Sequence, residues 1–446
     1  MKLLKAAFFI VLFLVIVLVG TIAPIDRTPY QKMDYYNEML QRLDNFKAEK
    51  KIKSGDSLKI GWASASILPK EMPFPFAGYG IRKPANSVLD TIKVRTFVFD
   101  NGITKVAFIS LDILIFPPEI KEYLYSSLKS KYNINFYLTA SHTHSSAGGW
   151  LSKWAGHFIA GNYNNDYVKY IENQIDITIS NAIKNISTCS ISNFKFSSSE
   201  AVVNRLRNDQ GIVDDTIRGL IFKNNKNKKA LLYTFSAHAV CHDSDVEFFS
   251  GDYPNAIELN LNKSNEYDLV TYAAGAVASH SPGFLDIHDG HKKYLKMGEF
   301  LAYQIDTCKK TPFKFTNKLY FKSIPLALRE AHLKIDSNYR IRPWLFHLLL
   351  GKSQPTIELF QVDQFVFLGM PCDYSGELMP PLLAKAKTYN QELILSGFNG
   401  GYIGYITVDE CYDWNRGETR DMNWFGPYNG AYLTEVNLKF IEALNN

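Results

Sequence analysis

The sharpest feature of hydrophobic patterning is an uncharged apolar run from Ala6 to Ala23, preceded by Lys2 and Lys5. It nearly matches the roughly 20 residues that span a bilayer. The two lysines form the positive flank of an export signal. Pro24 follows at once and no A-x-A pattern is present. The run therefore reads as an uncleaved transmembrane signal-anchor over residues 1–24, with the body extracytoplasmic because the positive flank stays inside. A cleaved signal with a secreted or periplasmic product is the alternative. Residues 25–56 are polar with scattered aromatics and predict a stalk and a short helix from Met33 to Lys50.

From residue 57 the patterning alternates between two periods. KVRTFVFDNGITKVAFISLDI (93–113) holds two β-rich runs joined through Asn101-Gly102, a strong hairpin signal. PPEIKEYLYSSLKSKY (117–132) has apolar residues at helical spacing behind two prolines. INFYLTASHTHS (134–145) predicts a strand, and Asp166 to Ile186 a long helix. Strands recur at 216–223, 229–240 and 268–277. A helix from His291 to Lys309 precedes further strands at 318–328, 356–370 and 392–398, with a helix at 377–389. Strands alternating with helices indicate an α/β fold of mixed sheets flanked by helices. No repeat or linker breaks residues 57–446, which read as one large catalytic domain.

Composition narrows the field. A net charge of +5 over 446 residues, with no basic block, points away from nucleic acid. The five cysteines form no CxxC pair, which excludes a thiolate zinc site and leaves room for one disulfide. RPWLFHLLL (342–350) stands out as a buried or membrane-facing apolar patch.

Polar chemistry collects where apolar strands end. LTASHTHSSAGGW (138–150) closes on His142 and His144, whose rings share a face if the segment is extended. Other strands close on His238 with His242, on Ser279, His280 and Ser281, on Asp373 and Glu377, and on Tyr402 and Tyr405. Active groups of α/β sheets gather at strand ends. Two histidines, a carboxylate and an oxygen donor suit a tetrahedral zinc site. Asp373 and Glu377 share a face, at i and i+4, if both belong to a helix starting near Ser375. Asp373 could otherwise cap that helix. His242 and His280 read as exposed loop histidines.

TASHTHSSAGG closely resembles the THTHSGPGG signature of the neutral/alkaline non-lysosomal ceramidases. The resemblance runs in order from about residue 57 to residue 440, through GWASASI, AGYG, VNRLR, SAHAV, GDYP, GMPCDYSGEL, FNGGYIGYIT and FGPYNGAY. It covers the family's catalytic domain and not its C-terminal β-sandwich. It implies a zinc amidase that splits the N-acyl amide bond of ceramide or a related N-acyl lipid. It further implies His142, His238, Asp373 and Tyr405 as zinc ligands, His144 as acid/base group, and Arg205 facing the substrate carbonyl. Three departures stand out. Asp373 takes the place of a ligand glutamate, with Glu377 as its rival. The serine loop is GAVASHSPG, where Ser279 and Ser281 compete for one role. Gly417 falls where the family has a tyrosine in RYEG. Two other readings accompany these departures: a non-catalytic binding module that kept the fold, and a metal-dependent esterase or amidase acting on another small substrate.

Overall fold

The computed structural model describes residues 2–49 and 51–445. Lys50, the expected end of the short helix, lies outside them. The apolar run forms one helix, Lys2–Thr21, which stands exposed along its length. The segment behind it is seated on the body. Ile22–Pro24 pairs with Tyr339–Ile341, and the helix Asp34–Ala48 buries Met39, Leu43 and Phe46.

Two mixed sheets organise the rest. The larger has the order Leu269–Ala274, Lys229–Phe235, Thr216–Asn224, Ser187–Ser197, Lys59–Ser66, Lys93–Asp100, Lys105–Leu111, Asn135–Ala140, and Lys314–Phe315 pairs off this path. The smaller has Leu319–Pro325, Thr356–Val362, Phe365–Gly369 and Glu392–Ser396. Three neighbouring pairs are parallel: Lys105–Leu111 with Asn135–Ala140, Lys229–Phe235 with Leu269–Ala274, and Phe365–Gly369 with Glu392–Ser396.

Strand alternation explains how the layers stack. In Lys93–Asp100, Val94 and Val98 face one core with Ile171, Ile175 and Ile179 of the helix Asn165–Lys184. Phe97 and Phe99 face the other way, onto Phe360 and Phe367 of the small sheet. The opposite face of the small sheet, through Leu359 and Leu368, packs on Met39, Leu43 and Phe440. The result is a helix–sheet–sheet–helix sandwich with an aromatic layer between the sheets. That layer includes the stacked pair Phe108 and Tyr137, 5.1 Å apart. The helices Tyr253–Leu261 and Asn429–Asn445 have no counterpart in the periodicity reading; both are amphipathic and lie against these cores.

The expected α/β class and its hairpin are present, Lys93–Asp100 pairing with Lys105–Leu111. All five cysteines are free. His242 and His280, expected in exposed loops, are buried at 2% and 0% exposure: the His242 loop packs under neighbouring elements, and His280 opens a short strand paired with Val202–Asn204. His242 packs among Phe248, His291 and Tyr294.

The strand ends are braced by a buried charge cluster. Arg95, 3% exposed, bonds Asp112 at 2.7 Å and also Glu258 and Asn255. Removing one partner of a buried ionic set strands the others without water. Arg95→Ala is expected to cost about 3–5 kcal/mol, read as a lowered denaturant midpoint at unchanged m-value.

Candidate metal centre

The parallel strands deliver their C-terminal ends to one place. Asn135–Ala140 leads to His142, Lys229–Phe235 to His238, Leu269–Ala274 to Ser279, Phe365–Gly369 to Asp373, and Glu392–Ser396 to Tyr402 and Tyr405. Cross-sheet bonds lock these ends together. The Tyr137 and Ser396 hydroxyls meet at 2.7 Å, Thr139 Oγ1 donates to the Gly397 carbonyl, and Gly397 N–H donates to the Ala274 carbonyl. A short parallel pairing then sets Asp373 directly beside Tyr405.

The strand before the histidines stops at Ala140, so the expected extended His-Thr-His is corrected. His142 has φ +61°, a left-handed backbone that costs a non-glycine residue energy and is typical of functional sites. Its ring stacks on Phe398 at 4.0 Å, itself at φ +62°. The kink still brings both rings together, with His142 and His144 Nε2 atoms 3.4 Å apart. Gly78 closes over His144; a Cβ there would come within 2.7 Å of its Nδ1.

Three acceptor atoms converge, His142 Nε2, His238 Nε2 and Asp373 Oδ1, with the Tyr405 hydroxyl, which can donate, beside them. His142 Nε2 lies 2.8 Å from His238 Nε2 and 3.2 Å from Asp373 Oδ1. His238 Nε2 lies 3.7 Å from Asp373 Oδ1 and 3.2 Å from Tyr405 Oη. The tautomers follow from the other ring nitrogens. His142 Nδ1 meets the Leu114 carbonyl at 2.6 Å and His238 Nδ1 meets the Val277 carbonyl at 3.1 Å. Carbonyls only accept, so His142 Nδ1 carries the proton, and so does His238 Nδ1 on its shorter contact, the donating Arg205 guanidinium standing farther off at 3.4 Å. Both Nε2 lone pairs then point at each other. Asp373 Oδ1 is buried with no hydrogen-bond donor. Such a set is self-repelling unless a cation sits within it. Ligand atoms of a tetrahedral site with bonds of about 2.0 Å lie about 3.3 Å apart, which matches these separations. The residues fit a metal ion: the ligand atoms of His142, His144 and His238 all lie within 4.8 Å of one another.

Electrostatics agree with neutral imidazoles. Burial, helped by the Arg205 charge and the neighbouring histidines, holds His238 well below the usual histidine range. Burial, then His142, Arg205 and Arg82, does the same to His144. Around the cluster, Tyr402 Oη donates to Asp373 Oδ2 at 2.7 Å and fixes its orientation. Arg205 donates to Tyr405 Oη at 3.4 Å and to the Ala278 carbonyl at 3.2 Å. Its Nε is held by Glu418 at 3.0 Å.

Of the eight residues proposed above as catalytic or metal-holding, six therefore meet: His142, His144, His238, Arg205, Asp373 and Tyr405. Ser279 lies at the edge, its carbonyl accepting from Arg205 N–H and its hydroxyl 2.7 Å from that of Ser375. Ser281 is paired opposite Val203 in a short strand. Asp373 and Glu377 do not share a helix. Asp373 is in a strand, Ser375 caps the following turn, and Glu377 turns to Arg207 at 3.7 Å. The roles of Glu418 and Tyr402 escape sequence reasoning; the one visible hint for Glu418 is its place beside Gly417 in NRGET.

Fold and site together define an α/β protein with a buried cluster of histidines, a carboxylate and a tyrosine at the strand ends. The chain belongs to the neutral/alkaline non-lysosomal ceramidase family, whose N-terminal profile matches residues 58–282. A crystal structure of neutral ceramidase from Pseudomonas aeruginosa shares the fold, with a TM-score of 0.73 at 16% identity, over 87% of this chain and 74% of that one. A ceramidase complexed with C2 gives 0.74 at 15% identity, over 87% and 75%. No curated protein matches the chain by sequence.

Proposed function

We propose that residues 57–446 form a zinc-dependent amidohydrolase that cleaves the N-acyl amide bond of ceramide or a related N-acyl lipid, held at the membrane by residues 1–24. The observation that carries this reading is the convergence of bare histidine and carboxylate acceptors beside the Tyr405 phenol in a member of this family. His142, His238, Asp373 and Tyr405 would hold the zinc, their mixed nitrogen and oxygen donors suiting that ion. When bound, zinc supplies a Lewis acid and acidifies water to a pKa near 7.

The chain's own groups do the rest. His144, neutral and with Nε2 turned to the cluster, takes the proton of the attacking water. The water oxygen adds to the acyl carbon. Arg205, fixed by Glu418, donates to the oxygen that gains charge, in concert with Tyr405. The C–N bond then breaks as His144 Nε2 returns the proton to the departing amine, leaving a carboxylic acid. Ser279 and its partner Ser375 position the Arg205 loop through the Ser279 carbonyl.

The test is hydrolysis across a panel of N-acyl lipids, simple amides and esters, with and without a zinc chelator. Chelator-sensitive release of fatty acid from ceramide supports the proposal. Turnover of esters alone reassigns the substrate, and zinc-replete protein that hydrolyses nothing marks a binding module.

The anchor is tested separately. Its motive is an exposed, strongly apolar helix of membrane-spanning length. Full-length chain is expected in membrane fractions and resistant to alkaline carbonate. A mature N-terminus near residue 24 would instead show a cleaved signal.

A further inference from the structure

The last turn of the apolar helix is tied to a second apolar element. Arg342 donates from Nε to the Val19 carbonyl and from its backbone N–H to Thr21, and Trp344 Nε1 donates to Gly20. Arg342 caps the helix Pro343–Leu350, which presents Trp344 and Leu348 outward on one face, at i and i+4. Leu348 is 68% exposed. The Leu349 carbonyl accepts from Ala155 N–H, which brings Trp154 and Phe158 alongside. Their rings touch at 5.2 Å, and Trp154 is 67% exposed. The Phe158 carbonyl lies against Gly80, and the half-exposed Tyr79 ring next to it covers His144 at 4.6 Å. A strip of exposed apolar side chains, Trp344 and Leu348, then Trp154 and Phe158, then Tyr79, thus leads from the foot of the anchor towards the metal cluster. Water-facing surfaces rarely carry such a strip.

We infer that this strip lies on the lipid bilayer from which the anchor helix emerges, so that the mouth at Tyr79 opens onto the membrane surface. This rests on the anchor reading above. The choice of occupant follows from connectivity: a spanning helix whose final carbonyls are bonded to Arg342 and Trp344 leaves Pro343–Leu350 no location other than the interface. Tryptophans beside basic residues suit that depth, with indoles among headgroups and cations near phosphates. Lys153 and Lys352 are exposed at the edge of the strip, Lys153 with its stem against Gly351. An amphiphilic substrate then reaches the centre without crossing water.

The experiment uses full-length chain in vesicles of phosphatidylcholine brominated near the headgroup end of the acyl chains. Tryptophan fluorescence is expected to be quenched, with most of the quenching lost in Trp154→Phe, Trp344→Phe protein. Trp154→Ser, Phe158→Ser, Leu348→Ser protein is expected to keep its turnover of a water-soluble short-chain amide. It should lose at least about fivefold on the same headgroup presented in a bilayer. Carbonate-resistant chain whose quenching ignores both tryptophans overturns the inference while leaving the anchor intact. Chain that washes off with carbonate overturns the anchor reading and this inference with it. Self-association that the triple serine variant abolishes, without quenching, assigns the strip to a second copy and overturns it too. Quenching is independent of turnover, so loss of the proposed activity is separately visible.

Discussion

The His142→Ala, His238→Ala double variant is expected to hold no zinc and to show no amide hydrolysis above background. Each side chain contributes a lone pair fixed by its own carbonyl contact, His142 through Leu114 and His238 through Val277. Losing an outer-shell partner of a metal ligand costs about 10–100-fold in affinity, and losing two ligands outright exceeds that. The metal-free fold should survive. In wild-type chain without metal the two Nε2 atoms face each other at 2.8 Å, and alanines relieve that repulsion. The measurement is zinc per chain by elemental analysis, paired with thermal unfolding with and without added zinc. Wild-type protein should gain stability from zinc by mass action, and the double variant should gain none. Full occupancy in the double variant would remove both histidines from the ligand set.

Asp373→Ala is expected to abolish hydrolysis and weaken zinc binding by about 100-fold or more, again beyond an outer-shell effect. Glu377→Ala should keep most of the zinc. Asp373 is fully buried, with Oδ1 facing both histidines and Oδ2 held by Tyr402. Its loss also leaves the Tyr402 hydroxyl without an acceptor. Glu377 sits beyond the Ser375 cap, beside Arg207. Burial raises its carboxyl above the usual range, and Arg207 only partly offsets this. Asp373→Glu should retain the metal, because it restores the longer carboxylate of the family's own motif. Zinc titration and amide hydrolysis on the three variants decide the matter. If Glu377→Ala strips the zinc and Asp373→Ala does not, the ligand set must be redrawn.

Some of this was legible in the chain alone because it depends on local pattern. The bilayer-length run, the hairpin through Asn101-Gly102 and the helix Asn165–Lys184 each follow from the spacing of side chains along one segment. Motif order was also local, and it placed His142, His238, Asp373 and Tyr405 at strand ends. Other features exist only where distant segments meet. His142 has its left-handed backbone where its ring stacks on Phe398, which follows a strand of the other sheet. Asp373 rather than Glu377 faces the histidines because Asp373 pairs with Tyr405 in a two-residue strand too short for any periodicity to reveal. Glu418 reaches Arg205 across more than two hundred residues. His242 is buried where its loop packs on Phe248 and Tyr294, and His280 where its short strand pairs with Val202–Asn204, neither visible in the polar composition of these segments. Period and composition thus located most of the elements, while their ends, the split of 356–370 into two strands and the helices Tyr253–Leu261 and Asn429–Asn445 were decided by packing. Burial, backbone strain and the tautomers of the facing histidines arose from packing between sheets, which no single segment encodes.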